Sequence, residues 1–422
     1  MPQGEADLGI CQWFHYHDYE TVERAVGYLR ELGIRHLRTG VSWADFYRPH
    51  GPQWYDWVFE QLAEFELLIS VWHTPPSIGE APLCTAPPQR LDEYTDVIGR
   101  IIDRYGHAFE HLELWNEPNN LYKWDFRRFD PHWRKFAQMI APAAAYAQQR
   151  GKVTVLGGMS PIDPAWVALM QRHGALDAID VVAMHSFPHM WWDDAPCWDQ
   201  PDNWRGWADK VRRVTPVVGN RRIWISESGL ATWDLHRSCR SRHALQVRML
   251  DQAAAAPVER VYWYSLIDLD PAREAIEGFH VDENEYHLGL VRHEGTRKDA
   301  YWRMQQLLRD RRQRRSRGDS SSLGVSKMVA SNESRKTTDH DEIRKWVESR
   351  EGRPARVLGT GGVDDPGLLR IDMPDEPTGE ENLEPITWDD FFEKFERENL
   401  AMVYQEETKE GQTSRFSKLV RR

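Results

Sequence analysis

The chain has 422 residues, 41% of them hydrophobic, and a formal net charge of −12. That length fits a barrel of roughly 250–320 residues with a small domain beside it. The acidic balance excludes a nucleic-acid partner, which needs clustered basic surface, and no apolar run approaches the roughly 18 residues of a membrane span.

Residues 1–7 are polar and acidic and lack the basic start and apolar core of a secretion signal. Cys11, Cys84, Cys197 and Cys239 show no C-x-x-C spacing, so reduced thiols in a cytoplasmic protein are expected, with neither a disulfide framework nor a zinc site.

Apolar runs at 8–14, 36–43, 67–73, 112–117, 153–158, 178–185, 223–227 and 261–266 predict strands. Segments of helical period lie between them at 19–32, 55–65, 91–105, 131–149, 164–173, 203–214 and 242–255, with a last one at 298–308. Asp18, Asp130 and Asp163 are placed to cap helix N-termini. This alternation predicts an α/β chain: a closed parallel (β/α)8 TIM barrel over residues 1–310. Residues 311–336 are basic and then Ser-rich, and predict a flexible linker. Residues 337–422 predict a small acidic α+β module, with helices at 339–350 and from 387, and strands at 368–373, 400–404 and 415–420. The module shows no nucleophile–base pair, metal spacing or phosphate loop, so its function and partner stay unassigned.

Two strand ends carry the candidate chemistry. Glu117 lies in Leu114-Trp115-Asn116-Glu117-Pro118, and Glu227 in Trp224-Ile225-Ser226-Glu227-Ser228-Gly229. These are the expected fourth and seventh strands, and barrel enzymes place their reactive groups at strand C-termini. Paired carboxylates across one pocket are the equipment of glycosidic bond cleavage: one protonates the leaving oxygen, the other attacks or activates water. Glu117 suits the acid/base, with a pKa expected above the usual carboxylate value, and Glu227 the nucleophile. Arg38 is placed to keep Glu227 ionised. His73 and His185 close the third and sixth strands, where each can donate to a sugar or to a glutamate. The chain holds 20 tryptophans. Trp13, Trp43, Trp72, Trp115, Trp191, Trp192, Trp233 and Trp263 follow strands, where flat rings can stack on sugar faces. A carbohydrate is the expected partner, and neither metal nor organic cofactor is required.

The order of these motifs resembles clan A of the glycoside hydrolases, the retaining (β/α)8 barrels, and within it the family 39 β-xylosidases. The resemblance covers roughly residues 5–310. It implies acid/base Glu117, nucleophile Glu227, Asn116 binding a sugar 2-hydroxyl, Arg38 as the arginine of the second strand and Trp263 as the aromatic ending the eighth. Trp72 joins these as a substrate-binding ring. Many clan members place a tyrosine hydroxyl after the sixth strand; this chain has Phe187 there, so that hydroxyl is missing or comes from elsewhere. The implied activity is that of a retaining β-xylosidase or β-glucosidase. The alternative is a catalytically weak barrel that binds a sugar or sugar nucleotide within a larger assembly. The C-terminal module resembles a short bacterial protein family of unknown function, through Thr337-Thr338-Asp339-His340-Asp341-Glu342-Ile343-Arg344-Lys345-Trp346. Met328 precedes it, as a fusion of two genes would leave.

Overall fold

The computed structural model describes residues 6–187, 206–233, 239–273, 283–320, 335–350, 352–357, 367–373, 383–405, 414 and 416–422. The chain forms two compact units, Met1–Ser322 and Leu323–Arg422.

The first unit is a closed barrel of eight strands in sequence order. They are β1 (Asp7–Cys11), β2 (His36–Ser42), β3 (Glu66–Trp72), β4 (Phe109–Leu114), β5 (Val153–Met159), β6 (Val181–Ser186), β7 (Arg222–Ser228) and β8 (Arg260–Tyr264). Every neighbouring pair is parallel, and β8 closes on β1 with Cys11 opposite Tyr264. Such strands are covered on both faces, which is why they read as apolar runs rather than as alternations.

The helices follow from local chemistry. Tyr19–Leu32 starts where the Asp18 carboxylate accepts from the Thr21 N–H at 3.2 Å. It buries Val22, Ala25, Val26, Leu29 and Leu32 as one stripe and stops at Gly33, whose φ of 70° suits a residue without Cβ. Leu29 is fully enclosed; cutting it to alanine would cost about 2–5 kcal/mol. Asp163 caps Pro164–Arg172. Asp130 accepts from Lys135 and Phe136 N–H and so satisfies the start of Arg134–Gln149.

Three helices differ from expectation, one of them spanning Trp207–Val218 rather than 203–214. The second spans Gly51–Gln61 rather than 55–65, because Pro52 sets its first turn. The last runs from Asp299 to Ser320 and takes in ten residues of the expected linker. Two arginines there donate to free carbonyls: Arg311 to Ala6 and, at 2.9 Å, Ala254; Arg312 to Gly33. The basic run is therefore helix-compatible sequence anchored on the barrel. Among the described residues no helix is long and apolar enough to cross a membrane.

The second unit is α+β. Its strands are β9 (Arg335–Thr337), β10 (Arg353–Val357), β11 (Leu369–Asp372), β12 (Leu383–Pro385), β13 (Leu400–Tyr404) and β14 (Ser417–Arg421). They form two three-stranded antiparallel sheets, ordered β11-β10-β12 and β14-β13-β9. Helices His340–Glu348 and Trp388–Arg397 bring Ile343, Trp346, Phe391 and Phe395 into a core with Leu369 and Met402. The strands missed by sequence, β9, β10 and β12, are short and rich in charge or proline.

Candidate active site

The end of β4 is bent out of regular geometry. Trp115 and Glu117 adopt left-handed backbone, with φ of 72° and 44°, and His73 at the end of β3 does so at 70°. Such residues cost about 1–3 kcal/mol each and persist where the surroundings over-determine them. The bend separates the two neighbours. Trp115 is buried against Tyr94 and Trp124, in the helix layer. Asn116 and Glu117 reach the charged interior, 1% and 8% exposed.

Arg38 of β2 organises that interior. It is completely buried. Its Nε donates to Glu113 Oε2 at 2.6 Å, Nη1 to Glu227 Oε1 at 2.5 Å, and Nη2 to Asn116 Oδ1 at 2.7 Å. Burial alone would lower its pKa, but Glu113, Cys11 and Glu227 hold it well above the ordinary value, so it stays a cation. The Cys11 thiol lies 3.7 Å from Glu227 Oε1, and burial pushes its pKa well up. The guanidinium also lies 5.0 Å from the Trp13 ring, which meets Trp72 edge-on at 5.9 Å.

His185, at the end of β6, links the two glutamates. Its Nδ1 lies 2.9 Å from Glu117 Oε1 and 3.4 Å from Glu227 Oε2. Its Nε2 lies 2.8 Å from Ser226 Oγ, which donates to Glu113 Oε1 at 3.2 Å. Glycines in β5 make room for this: a Cβ on Gly158 would lie 1.9 Å from His185 Nε2, and one on Gly157 1.9 Å from the Trp115 carbonyl oxygen.

The structure therefore brings together Arg38, Asn116, Glu117, His185, Glu227 and Trp72. His73 is buried beside Trp72 and hydrogen-bonds neither glutamate; burial and the nearby Lys123 push its pKa down to about 3, so it is neutral. Trp263 is corrected. Side chains of a strand alternate, and Tyr262 and Tyr264 take the inner face, where Arg38 and Glu113 act on Tyr262, and Glu227 and Glu117 on Tyr264. Trp263 therefore belongs to the buried outer face, and the aromatic ending β8 in the pocket is Tyr264. Phe187 is buried and offers no hydroxyl. Trp43 packs on Tyr94 in the core, while Trp191 and Trp192 lie outside the described residues.

Sequence reading missed Glu113, Cys11, Lys123 and Tyr264. Glu113 had a signal: a carboxylate within an apolar strand, in need of a cation. Lys123 had none, since it arrives on the turn after Pro118. That turn is fixed by the Lys123 N–H bond to Asn120 and by the Trp115 indole bond to the Lys123 carbonyl at 3.1 Å. Lys123 is 5% exposed, its ammonium is 5.2 Å from the Trp72 ring centre, and burial lowers its pKa.

These neighbours correct the expected ionisation of Glu117. Burial raises its pKa, but the His185 hydrogen bond and charge, Lys123 and the Asn120 amide together hold it below the usual carboxylate value. The pocket therefore favours the ionised form of Glu117. Glu117, His185 and Glu227 present one oxygen or nitrogen each, all within 4.8 Å of one another, a set that can also ligate a metal.

No protein-family model matches the chain, and no curated protein matches it. Solved structures do match its fold. The exo-β-1,4-mannosidase Op5Man5 from Opitutaceae bacterium strain TAV5 aligns with a TM-score of 0.55 at 16% identity, over 73% of this chain and 60% of that one. A GH5_18 protein from Bifidobacterium longum subsp. infantis gives 0.53 at 14%, over 72% and 79%. A family 39 glycoside hydrolase from Bacteroides cellulosilyticus WH2 gives 0.52 at 14%, over 90% and 79%. The chain shares its barrel fold with these glycosidases; at such identities the likeness is one of fold.

Proposed function

We propose that the protein is a retaining glycoside hydrolase of β-xylosidase or β-glucosidase type, acting by double displacement with Glu227 as nucleophile and Glu117 as acid/base. The observation that carries this is the carboxylate pair: an oxygen of each lies within 4.8 Å of the other. Retaining pairs stand about 5–5.5 Å apart and inverting pairs about 6.5–9.5 Å, the latter leaving room for a water.

The contacts divide the labour. Arg38 holds Glu227 Oε1, and the other oxygen faces the pocket beside His185. Glu227 attacks the anomeric carbon as Glu117 gives its proton to the leaving oxygen. A water then enters, Glu117 takes its proton, and the ester on Glu227 is released. Because Arg38 occupies Asn116 Oδ1, the Asn116 amide N–H groups are available to a sugar hydroxyl.

The lowered pKa of Glu117 has a kinetic consequence. Only its protonated form starts the reaction, so kcat/KM falls tenfold per pH unit above its pKa. With that pKa below the ordinary value, the reaction with free enzyme favours acid pH.

The test is a panel of nitrophenyl β-xylosides and β-glucosides. Glu227→Ala should abolish turnover, and azide should rescue it to a product of inverted configuration. Azide rescue of Glu117→Ala should retain configuration. Near-native turnover by both variants would overturn the assignment; sugar binding without wild-type turnover would favour the binding-barrel alternative.

A further inference from the structure

The two candidate glutamates and the imidazole between them are each held by the atom that faces away from the other two. Arg38 takes Glu227 Oε1 at 2.5 Å. The Asn120 amide donates to Glu117 Oε2 at 3.0 Å. His185 Nε2 stands 2.8 Å from Ser226 Oγ, and that hydroxyl donates to Glu113 Oε1 at 3.2 Å. The near atoms are left to converge. His185 Nδ1 lies 2.9 Å from Glu117 Oε1 and 3.4 Å from Glu227 Oε2. One ligating atom of each residue lies within 4.8 Å of the others, and all three side chains are buried.

That spacing suits a small divalent ion. Tetrahedral Zn²⁺, at about 2.0–2.2 Å from nitrogen and oxygen ligands, sets its donors about 3.3–3.6 Å apart. The 3.4 Å separation falls in that range, the 2.9 Å one need open only slightly, and the two carboxylates close the third edge by drawing together. Two carboxylates match the charge of a divalent ion. The imidazole selects a transition ion over Mg²⁺ or Ca²⁺, which prefer oxygen ligands in larger number. Zinc ligands are oriented by outer hydrogen bonds of the kind that Ser226, Asn120 and Arg38 make here. Three protein ligands leave the fourth position open to water. The charges of Arg38 and Lys123 oppose a cation and hold its affinity below that of a structural zinc site.

We propose that Glu117, His185 and Glu227 form a reversible zinc site, and that zinc and glycoside exclude each other from the pocket. The bound ion would engage the two carboxylates that the double displacement needs, one to protonate the leaving oxygen and one to attack the anomeric carbon. The metal-loaded protein is then the silenced state and the metal-free protein the active one. The site stands on the geometry of the three ligands, while its inhibitory effect rests on the glycosidase reading.

The experiment titrates ZnCl₂ into the chelator-treated full chain by calorimetry, beside Glu117→Gln, His185→Gln and Ser226→Ala. Wild type should take up a single zinc ion that Glu117→Gln and His185→Gln do not. Ser226→Ala keeps all three ligands and should weaken that ion by about 10–100-fold. Matched thermal midpoints without metal would show that the folds are intact. MgCl₂ and CaCl₂ should give no such binding. Zinc uptake equal in all four proteins, or matched by Mg²⁺, would overturn the site. On a nitrophenyl glycoside, zinc should raise KM and leave kcat unchanged in wild type, and EDTA should restore the rate. Inhibition that added substrate does not relieve would place the ion elsewhere and overturn the proposal. A wild type that takes up the ion and hydrolyses no glycoside would leave the site standing and overturn the glycosidase reading. Hydrolysis indifferent to zinc, with no ion lost in the variants, would do the reverse.

Discussion

Inside the barrel, Arg38, Glu113, His185 and Glu227 lie enclosed in one hydrogen-bonded group. In the second unit the enclosed side chains are Ile343, Phe391, Phe395 and Met402, while Arg344 with Glu348 and Arg353 with Asp372 pair nearer the surface. The second unit closes on a mainly apolar cluster, with Arg350 buried at its edge on the Trp346 and Ser414 carbonyls. The barrel spends part of its interior on charges that an apolar filling would replace at equal or greater stability. Buried charge has two uses here: Lys298 with Asp268 ties a turn in place, whereas the Arg38 group meets the two candidate carboxylates.

The strongest way to break that comparison is to remove the central cation. Arg38→Met leaves Glu113 and Glu227 buried without their counter-ion and should cost about 3–5 kcal/mol in denaturant unfolding, along with all activity. Adding Glu113→Leu should recover part of the stability and none of the turnover. A single variant as stable as wild type would show that the carboxylates do not depend on Arg38.

Acid should next separate the two units. Burial pushes His73 and His111 in the barrel down to about 3. Unfolding frees each imidazole to bind a proton below its ordinary value near 6.5, so the barrel loses stability as pH falls from there toward 3. The loss should be on the order of 2–4 kcal/mol per imidazole. His73→Gln and His111→Gln should each flatten this dependence, and unchanged slopes would refute the cause.

A smaller effect sharpens the reading of Glu117. Removing the His185 hydrogen bond or the Lys123 cation, by His185→Gln or Lys123→Met, should raise its pKa and move the basic limb of kcat/KM upward by about one pH unit. A limb that stays in place in both variants would mean that another group carries it. The smallest change belongs to the second unit. Arg353→Ala, which breaks a pair whose arginine side chain is 63% exposed, should cost under about 1 kcal/mol. A larger loss in thermal unfolding would place that pair among the supports of the fold.

The barrel was legible because its strands are apolar runs cut by capped helices, as Asp18 and Asp163 show. The positions of Glu117, Glu227 and His185 at or beside strand ends follow from the same pattern, while Arg38 stands within β2 as the third of its seven residues. Lys123 was not legible, because a turn fixed by hydrogen bonds to Asn120 and Trp115 decides where its ammonium goes. Without Lys123 and the His185 contact, the sign of the Glu117 shift came out reversed. Trp263 was misplaced by one residue, and one residue on a strand exchanges the pocket face for the helix face. The helix through Ser320 was missed because a basic, Ser-ending run reads as tether until its arginines are seen on barrel carbonyls.

The paired glycines of β5 bear on how such a site can change over generations. A methyl on Gly158 would occupy the space of the imidazole that joins both glutamates, and one on Gly157 would strike the backbone at the bend that presents Glu117. β5 supplies no reactive atom, yet it is where drift is least forgiving. A variant library that spares every polar residue of the pocket and randomises only these two positions should return almost no active clones.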